Sequence, residues 1–475
     1  MSESPTMRNL LHPARLLTPL FAALVLGGCA TAPPSLDMAL PQTPAAFSEG
    51  SGLWTTAAPA EAQARGEWWK AFGDAQLDAL VERAERGSTS IQVAAARLAQ
   101  ARAVLGATDA NRAPQLGLAA GGTREAQRGL GVAPNTVLSA GAQLSYELDL
   151  FGRLAKASDA AALDVRSREA LLRSTRLLVQ AQIAQSYFAL RALDAEQTLV
   201  RGTVDAYRDT LRLTERRYAA GDVAELDLVR VRSEVAATES EALALERQRA
   251  QLEHAIALLA GEPASGFRIA AADWRASPPQ VPAGVPSTLL VRRPDVSAAQ
   301  SALLAAQVRV GVAQAAWFPQ LALTASGGFA SSELSDLFRS SARAWGVGAL
   351  LSLPLLDGGR REAGVANARA ELDAALAGYR EQVLVAFKDV EDELAALRLL
   401  ARQGDAQGQA VDAAARATTL SETRYRNGLV SQLELLDARR SELRNRREAL
   451  QVRSAQYQST VRLIRALGGG WGEAA

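Results

Sequence analysis

Two stretches of this chain read almost identically. Tyr218 to Leu228 and Tyr425 to Leu435 both follow Tyr-x-x-Gly-x-Val-x-x-Leu-acid-Leu, 207 residues apart. Each lies between long, proline-free segments rich in Ala and charge. Glycine just past a helical run stops the helix, because it alone enters the left-handed conformation without strain. Gly221 and Gly428 are therefore expected to be the turns of two long helical hairpins. The repeat extends outward. Pro114-Gln115-Leu116 recurs as Pro319-Gln320-Leu321, and Gly152-Arg153 as Gly359-Arg360, at nearly the same offset. Three motifs keeping order and spacing imply one duplicated unit of roughly two hundred residues.

Composition removes several classes of function. The 52 basic and 51 acidic residues balance, so no global field favours nucleic acid. One cysteine, Cys29, and two histidines, His12 and His254, leave almost nothing from which to build a His/Cys metal site or a nucleophile–base pair. His254 sits beside Glu253 in a helical run and reads as a solvated helix residue. Neither Gly121-Gly122 nor Gly468 to Gly470 has the strand–turn–helix context of a nucleotide loop. The expectation is no enzyme and no cofactor.

Taken in order, residues 1–28 look like an export signal. Arg8 and Arg15 precede an apolar core, Leu16 to Leu26, too short to span a membrane. Residues 29–66, rich in Pro, Ala and Ser, read as an extended tether. Asp74 is placed to cap a helix that turns Leu77, Leu80 and Val81 inward. A helix from Thr89 to about Asn111 follows. The period then changes to two: Leu144, Tyr146, Leu148 and Leu150 alternate with Gln143, Ser145, Glu147 and Asp149. The partner strand is expected over Gln115 to Thr123, with a loop from Arg124 to Asn135. In the second copy Leu321, Leu323 and Phe329 share a face. After a loop from Ser331 to Arg343, so do Trp345, Val347, Leu351, Leu353 and Leu355. Gly261 to Pro294 reads as a Pro/Gly-rich connector, after which a helix starts by Asp or Ser capping at Arg293-Pro294-Asp295. Gly468-Gly469-Gly470-Trp471 reads as a helix stop with an aromatic flap.

Two physical limits follow. No stretch after residue 28 is expected to have the length and apolarity of a membrane helix, while the four strands are long enough to cross a bilayer when tilted. Only helices or closed barrels satisfy the backbone in lipid, and spanning barrels start at about eight strands. If these strands lie in a membrane, several chains must share one barrel, a count that requires sharing without choosing how many chains. The helices after Gly152 and Gly359 show coiled-coil spacing at Val200, Val204, Tyr207 and Leu211, and at Val383, Phe387, Val390, Leu394 and Leu397. A run of about 66 residues spans about 100 Å, far more than a globular core needs.

Together these landmarks resemble the TolC-type outer-membrane efflux family, in particular its lipoprotein branch serving multidrug pumps. The pieces that match are Leu26-Gly27-Gly28-Cys29 as a lipobox, Trp68-Trp69 with Phe72 and Asp74, Tyr146 to Arg153, Arg293 to Val296, Phe318-Pro319, both Tyr-x-x-Gly turns, and Ala466 to Trp471. Ala75 departs from the Pro common in the family. The resemblance implies a mainly α fold with a membrane β-barrel: two repeated helix/strand units over residues 67–261 and 295–475, joined by the connector 262–294. Each chain supplies four strands and long coiled-coil helices, and a homotrimer forms a 12-stranded barrel and a periplasmic α-helical barrel. It implies cleavage before Cys29, acylation there, and an outer-membrane location reaching into the periplasm. The partners it implies are a periplasmic adaptor, an inner-membrane transporter and outer-membrane lipid.

The implied function is the exit duct of a tripartite efflux system for small molecules. Type I protein secretion and a structural coiled-coil scaffold are the alternatives. The tip of the helical barrel, at the repeated turns, is the closed end in this family. Glu434 and Asp437 are one turn apart on one helix face, so three copies would ring the aperture with carboxylates, an arrangement that selects cations. The resemblance also implies that Tyr425 and Asp227 hold adjacent hairpins together. Val430 stands where well-known relatives carry Arg, so the closing links of this gate are expected to differ.

Overall fold

The computed structural model describes residues 47–50, 66–125, 134–272, 274, 278–279, 281 and 292–469. Cys29, the export signal, most of the tether and Trp471 lie outside the described residues. Among the latter are seven α-helices: α1 (Ala75–Gly87), α2 (Thr89–Ala110), α3 (Arg153–Ala219), α4 (Glu225–Ala260), α5 (Pro294–Ala315), α6 (Arg360–Arg426) and α7 (Gln432–Ala466). Four strands complete the fold: β1 (Gln115–Glu125), β2 (Asn135–Leu148), β3 (Gln320–Ser331) and β4 (Arg343–Ser352). Helices α3 and α6 are each 67 residues long, about 100 Å at 1.5 Å per residue. The chain divides into two compact units, one of Leu98–Arg168 with Ala299–Tyr379 and the other of the remaining described residues.

The first unit carries the sheet. Its strands run antiparallel in the order β1-β2-β3-β4, with registers Leu116↔Leu144, Leu144↔Ala325 and Ala325↔Val347. β1 and β4 pair on one side only. β2 and β3 approach closely at Gly141↔Gly328. A Cβ on Gly328 would lie 2.3 Å from the Ala140 carbonyl oxygen and 2.5 Å from Gly141 Cα, so only hydrogen fits there. β2 and β4 each turn into a long helix at a corner built from an Asp acceptor. Asp149 accepts from the Ala155 N–H at 2.7 Å. Asp357 accepts from the Gly359 and Arg361 N–H groups and binds the Arg361 guanidinium. Glu147 and Arg153 add a two-oxygen salt bridge at 2.8 Å.

The second unit packs around an aromatic cluster. Phe188 and Tyr457 rings lie 4.6 Å apart, Phe72 and Phe188 4.8 Å, and Trp274 and Tyr457 4.7 Å. Asp74 caps α1 as expected, accepting from the Gln76 and Leu77 N–H groups, and also accepts from the Tyr187 hydroxyl at 2.5 Å. Leu77, Leu80, Val81 and Ala84 are buried beneath it. Arg191, only 1% exposed, is engaged through both terminal nitrogens, while its Nε has no acceptor. It donates to Asp194, the Ala270 carbonyl and Gln76 and lies over the Tyr187 ring. A buried guanidinium left unpaired would cost about 3–5 kcal/mol. Val200, Val204 and Tyr207 of α3, and Val383, Val390 and Leu394 of α6, are buried at the expected spacing.

Several expectations need correction. β1 runs on to Glu125, so Arg124 and Glu125 pair with Thr136 and Asn135 instead of opening the loop. β2 stops at Leu148 and Leu150 lies in a turn, half exposed. β4 stops at Ser352, so Leu353 and Leu355 do not continue its face. Pro354 has no N–H for a ladder, which ends the alternation. α5 begins at Pro294 itself, a position whose missing N–H costs nothing. Asp295 is tied to Arg293 at 2.7 Å and does not stand before the helix as its cap. By length and composition alone α5 is also long and apolar enough to cross a membrane, where no such helix is expected after residue 28. Val296, Leu303, Ala305, Ala306 and Val310 of this helix are buried within the protein, and 39% of its apolar window is buried in all.

Candidate functional site

The sheet separates its residues cleanly. Following the register, one face carries Leu116, Leu118, Leu138, Leu144, Tyr146, Leu148, Leu321, Leu323, Phe329, Trp345, Val347 and Leu351. Many of these are open to solvent in the single chain; Leu118 is 88% exposed and Trp345 81%. The other face carries Gln115, Thr123, Ser139, Gln143, Ser145, Gln320, Thr324 and Ser326 among Gly and Ala, with the Glu147 carboxylate already matched by Arg153. Apolar side chains fall mainly on the first face, with Val137 and Leu350 the exceptions on the second and Arg124 and Arg343 the charges on the first, so one face suits hydrocarbon and the other water. Small side chains on the wet face leave room in front of it.

The repeated turns are in the second unit. Each ends its helix with the same pair of hydrogen bonds. Gly221 N–H donates to Tyr218 O and Asp222 N–H to Arg217 O; Gly428 N–H donates to Tyr425 O and Leu429 N–H to Arg424 O. This is the glycine-terminated C-cap in which orphan carbonyls are satisfied by residues beyond the helix. Gly221 and Gly428 have φ of 79° and 72°, where a Cβ would be strained. Ser431 then caps α7, its hydroxyl accepting from the Glu434 N–H at 3.4 Å. Asp227 and Glu434 occupy the same third position of α4 and α7, where the helix dipole favours a carboxylate.

The named tip residues find different surroundings. Glu434 and Asp437 are exposed on one side of α7, as their spacing requires. Each already has a cation nearby: Arg424 lies 3.9 Å from Glu434 and Arg440 lies 3.2 Å from Asp437. Tyr425 is half-buried and accepts from Arg217 Nη1 at 3.2 Å, within this chain. Asp227 is half-buried, and within the chain the structure does not bring it to Tyr425. Val430 is half-buried in the second turn. Residues 214–234 and 420–440 together hold eight acidic and eight basic side chains, so the turn region carries no net charge.

Contacts between the two hairpins were not anticipated from sequence. Gln432 Nε2 donates to Thr214 Oγ1 at 2.9 Å, both side chains buried. Arg439 donates to Thr210 Oγ1 at 2.6 Å and pairs with Glu422 at 2.7 Å. Arg440 pairs with Glu234, and Arg447 with Glu196 and Glu241. Tyr207, Val231, Val235 and Leu436 form the apolar core beneath, joining α3, α4 and α7. The one signal available in sequence was the repeat itself. The 207-residue offset equates Arg217 with Arg424, and both guanidiniums reach the second turn. His254 is exposed on α4.

The comparisons with known proteins agree with this arrangement. The sequence matches the family described as outer membrane efflux protein over residues 80–262 and 285–469. It is 34% identical over 461 residues to the pyoverdine export outer membrane protein OpmQ of Pseudomonas aeruginosa, covering 95% of this chain and 96% of OpmQ. It is 30% identical over 456 residues to SilC of Salmonella typhimurium, described as a probable outer membrane lipoprotein, covering 94% and 97%. Among solved structures, the outer-membrane channel OprN superposes with a TM-score of 0.85 at 30% identity, covering 93% of this chain and all of OprN. A four-stranded sheet with one lipid-compatible face, two 67-residue helices and this family match lead to one conclusion: the chain is a member of the outer membrane efflux protein family, an efflux channel of the outer membrane.

Proposed function

We propose that three copies of this chain pool their sheets into a 12-stranded barrel, and that their helices form the periplasmic conduit of a tripartite efflux system. The supporting observation is the sheet. It has two open edges and a continuous apolar face, a combination that lipid tolerates only after closure. In this reading the wet face of Gln, Ser, Thr, Gly and Ala lines the exit and passes small molecules with little discrimination. A periplasmic adaptor and an inner-membrane transporter supply the cargo, and the chain itself carries out no catalytic step. The two repeats, residues 67–261 and 295–475, supply equivalent halves of each subunit around the connector 262–294. Residues 1–28 are removed on export, and Cys29 takes acyl chains that hold the 29–66 tether at the membrane. SilC, with its lipoprotein description, supports that part of the reading.

The gate in this reading lies at the repeated turns. Gly221 and Gly428 fix the hairpin tips, Glu434 and Asp437 face the aperture, and Tyr425 and Asp227 meet between neighbouring subunits. Asp227 is available for that role because its carboxylate is not spent on Tyr425 within the chain. Arg424 and Arg440 offset the ring carboxylates, so cation preference is modest. Reconstitution in planar bilayers tests the reading. The wild type should conduct with slight cation preference, and Glu434→Gln with Asp437→Asn should abolish that preference. Absence of conductance from folded oligomers would reject the conduit; unchanged selectivity would reject the gate residues. A deletion strain should become susceptible to small toxic compounds without losing secreted proteins.

A further inference from the structure

Two charges break the pattern of the sheet's apolar face. Arg124 of β1 and Arg343 of β4 are the charged residues that the strands place on it. Both are exposed, and neither has a carboxylate partner among the described residues. Both lie near the connections within the β1–β2 and β3–β4 hairpins, at the end of the sheet away from the corners into α3 and α6. Arg343 stands opposite Phe329 in the register, and Trp345 is the next residue on the same face of β4. From the β3–β4 connection, the Phe338 ring meets the Phe329 ring edge-on at 5.6 Å. Phe338 is itself exposed, as is Leu334. Arg339 in that connection is engaged by Asp336 at 3.0 Å. One rim of the apolar face thus combines uncommitted guanidiniums with aromatic rings.

Depth decides what these arginines meet. Leu351 to Arg343, like Leu116 to Arg124, covers about 27 Å of strand, or about 20 Å of depth at a tilt of roughly 40°. The lipid-facing band of such sheets is about 25 Å tall, so both side chains reach its edge. A cation facing lipid is costly at the midplane and nearly free at this level. The groups on offer there are headgroup phosphates, which a guanidinium binds through paired N–H···O bonds. β1 and β4 are three strand spacings apart, about 14 Å, a span suited to two phosphates on one headgroup. We propose that Arg124 and Arg343 hold the two phosphates of a bis-phosphorylated diglucosamine glycolipid, lipid A, in the outer leaflet, its acyl chains lying along Trp345 and Leu118. The choice of leaflet rests on the conduit reading, in which the helices run into the periplasm and the hairpin connections face out. A phospholipid brings one phosphate and no disaccharide to bridge the span. The contact fixes the depth of the sheet in the bilayer.

Native mass spectrometry of the full-length protein in detergent, titrated with lipid A, tests the site. The wild type should bind roughly tenfold or more tightly than Arg124→Ser with Arg343→Ser. It should prefer lipid A to its dephosphorylated form by a similar factor. Equal affinity in either comparison would overturn the proposal. So would phosphatidylglycerol binding as tightly as lipid A, which would mean a general preference for anionic lipid. This readout needs neither conductance nor a fixed number of subunits, so its failure is distinct from failure of the conduit. A second measurement leaves both arginines in place. Phe338 replaced by p-benzoylphenylalanine and irradiated in intact cells should yield a protein–glycolipid adduct; adducts with phospholipid alone, or none, would refute the contact.

Discussion

The close approach of β2 and β3 makes Gly328→Ala a demanding test of the sheet. The new methyl would sit 2.3 Å from the Ala140 oxygen and 2.5 Å from Gly141 Cα. Ordinary contacts lie near 3.5–4.0 Å, so the strands must part by roughly 1 Å. A ladder bond near 2.9 Å stretched by that amount is no longer a bond. Losing two such bonds costs about 1–3 kcal/mol where water can replace them, and several kcal/mol for each orphaned group facing lipid. The expected loss is about 4 kcal/mol or more. Gly327→Ala is the matched control, since nothing lies within 4 Å of its Cβ position. Heating the outer-membrane protein before mild electrophoresis should dissociate Gly328→Ala oligomers well below the wild-type temperature, with Gly327→Ala unchanged. Equal melting of all three would refute the register.

Other perturbations address the second unit. Arg439→Met removes the bonds to Thr210 and Glu422 on a side chain 18% exposed; it should cost about 1–2 kcal/mol after solvent screening. Faster amide exchange at 206–214 and 418–440, with longer channel openings, is expected, and unchanged exchange would count against the hairpin clasp. Asp74→Ala loses a cap worth about 0.5–2 kcal/mol and strands the Tyr187 hydroxyl; thermal unfolding should drop by several degrees, with Asp74→Asn intermediate. Burial raises the Asp295 pKa, but the Arg293 guanidinium outweighs it and holds the carboxyl below its ordinary 3.8. Stability from this group is therefore complete above that ordinary value and lost as pH falls through the folded value. Melting curves should decline below about pH 4, less steeply in Asp295→Asn, which starts from a lower stability at pH 7; identical pH profiles would remove Asp295 from the account.

The sequence disclosed what local chemistry fixes. Gly221 and Gly428 had to end helices, Asp74 had to cap one, and alternation through Leu144 to Leu148 had to form a two-faced strand. Apolar alternation outlasts the ladder at Leu150 and Leu355, beyond the strand ends at Leu148 and Ser352. The corners are set instead by Asp149 and Asp357 capping the following helices. Pairing of β2 with β3, and the Gly141–Gly328 approach, depends on residues nearly two hundred positions apart. No local pattern encodes that. The same holds for Gln432 with Thr214 and for Arg439 with Thr210, where polar side chains on two helices meet only once both hairpins are packed. Tyr425 was legible as a turn residue, but its contact with Arg217 was not.

Edge-to-edge closure between subunits is most directly measured by disulfide trapping across β1 and β4. Ala119→Cys should be combined in turn with Ala344→Cys, Gly346→Cys and Gly348→Cys, all of which project from the polar face by the sheet register. At least one pair should oxidise in intact cells into a covalent ladder ending at three chains. Bonds formed only within single chains, or a ladder stopping at two or passing beyond three, would contradict a barrel shared by three subunits.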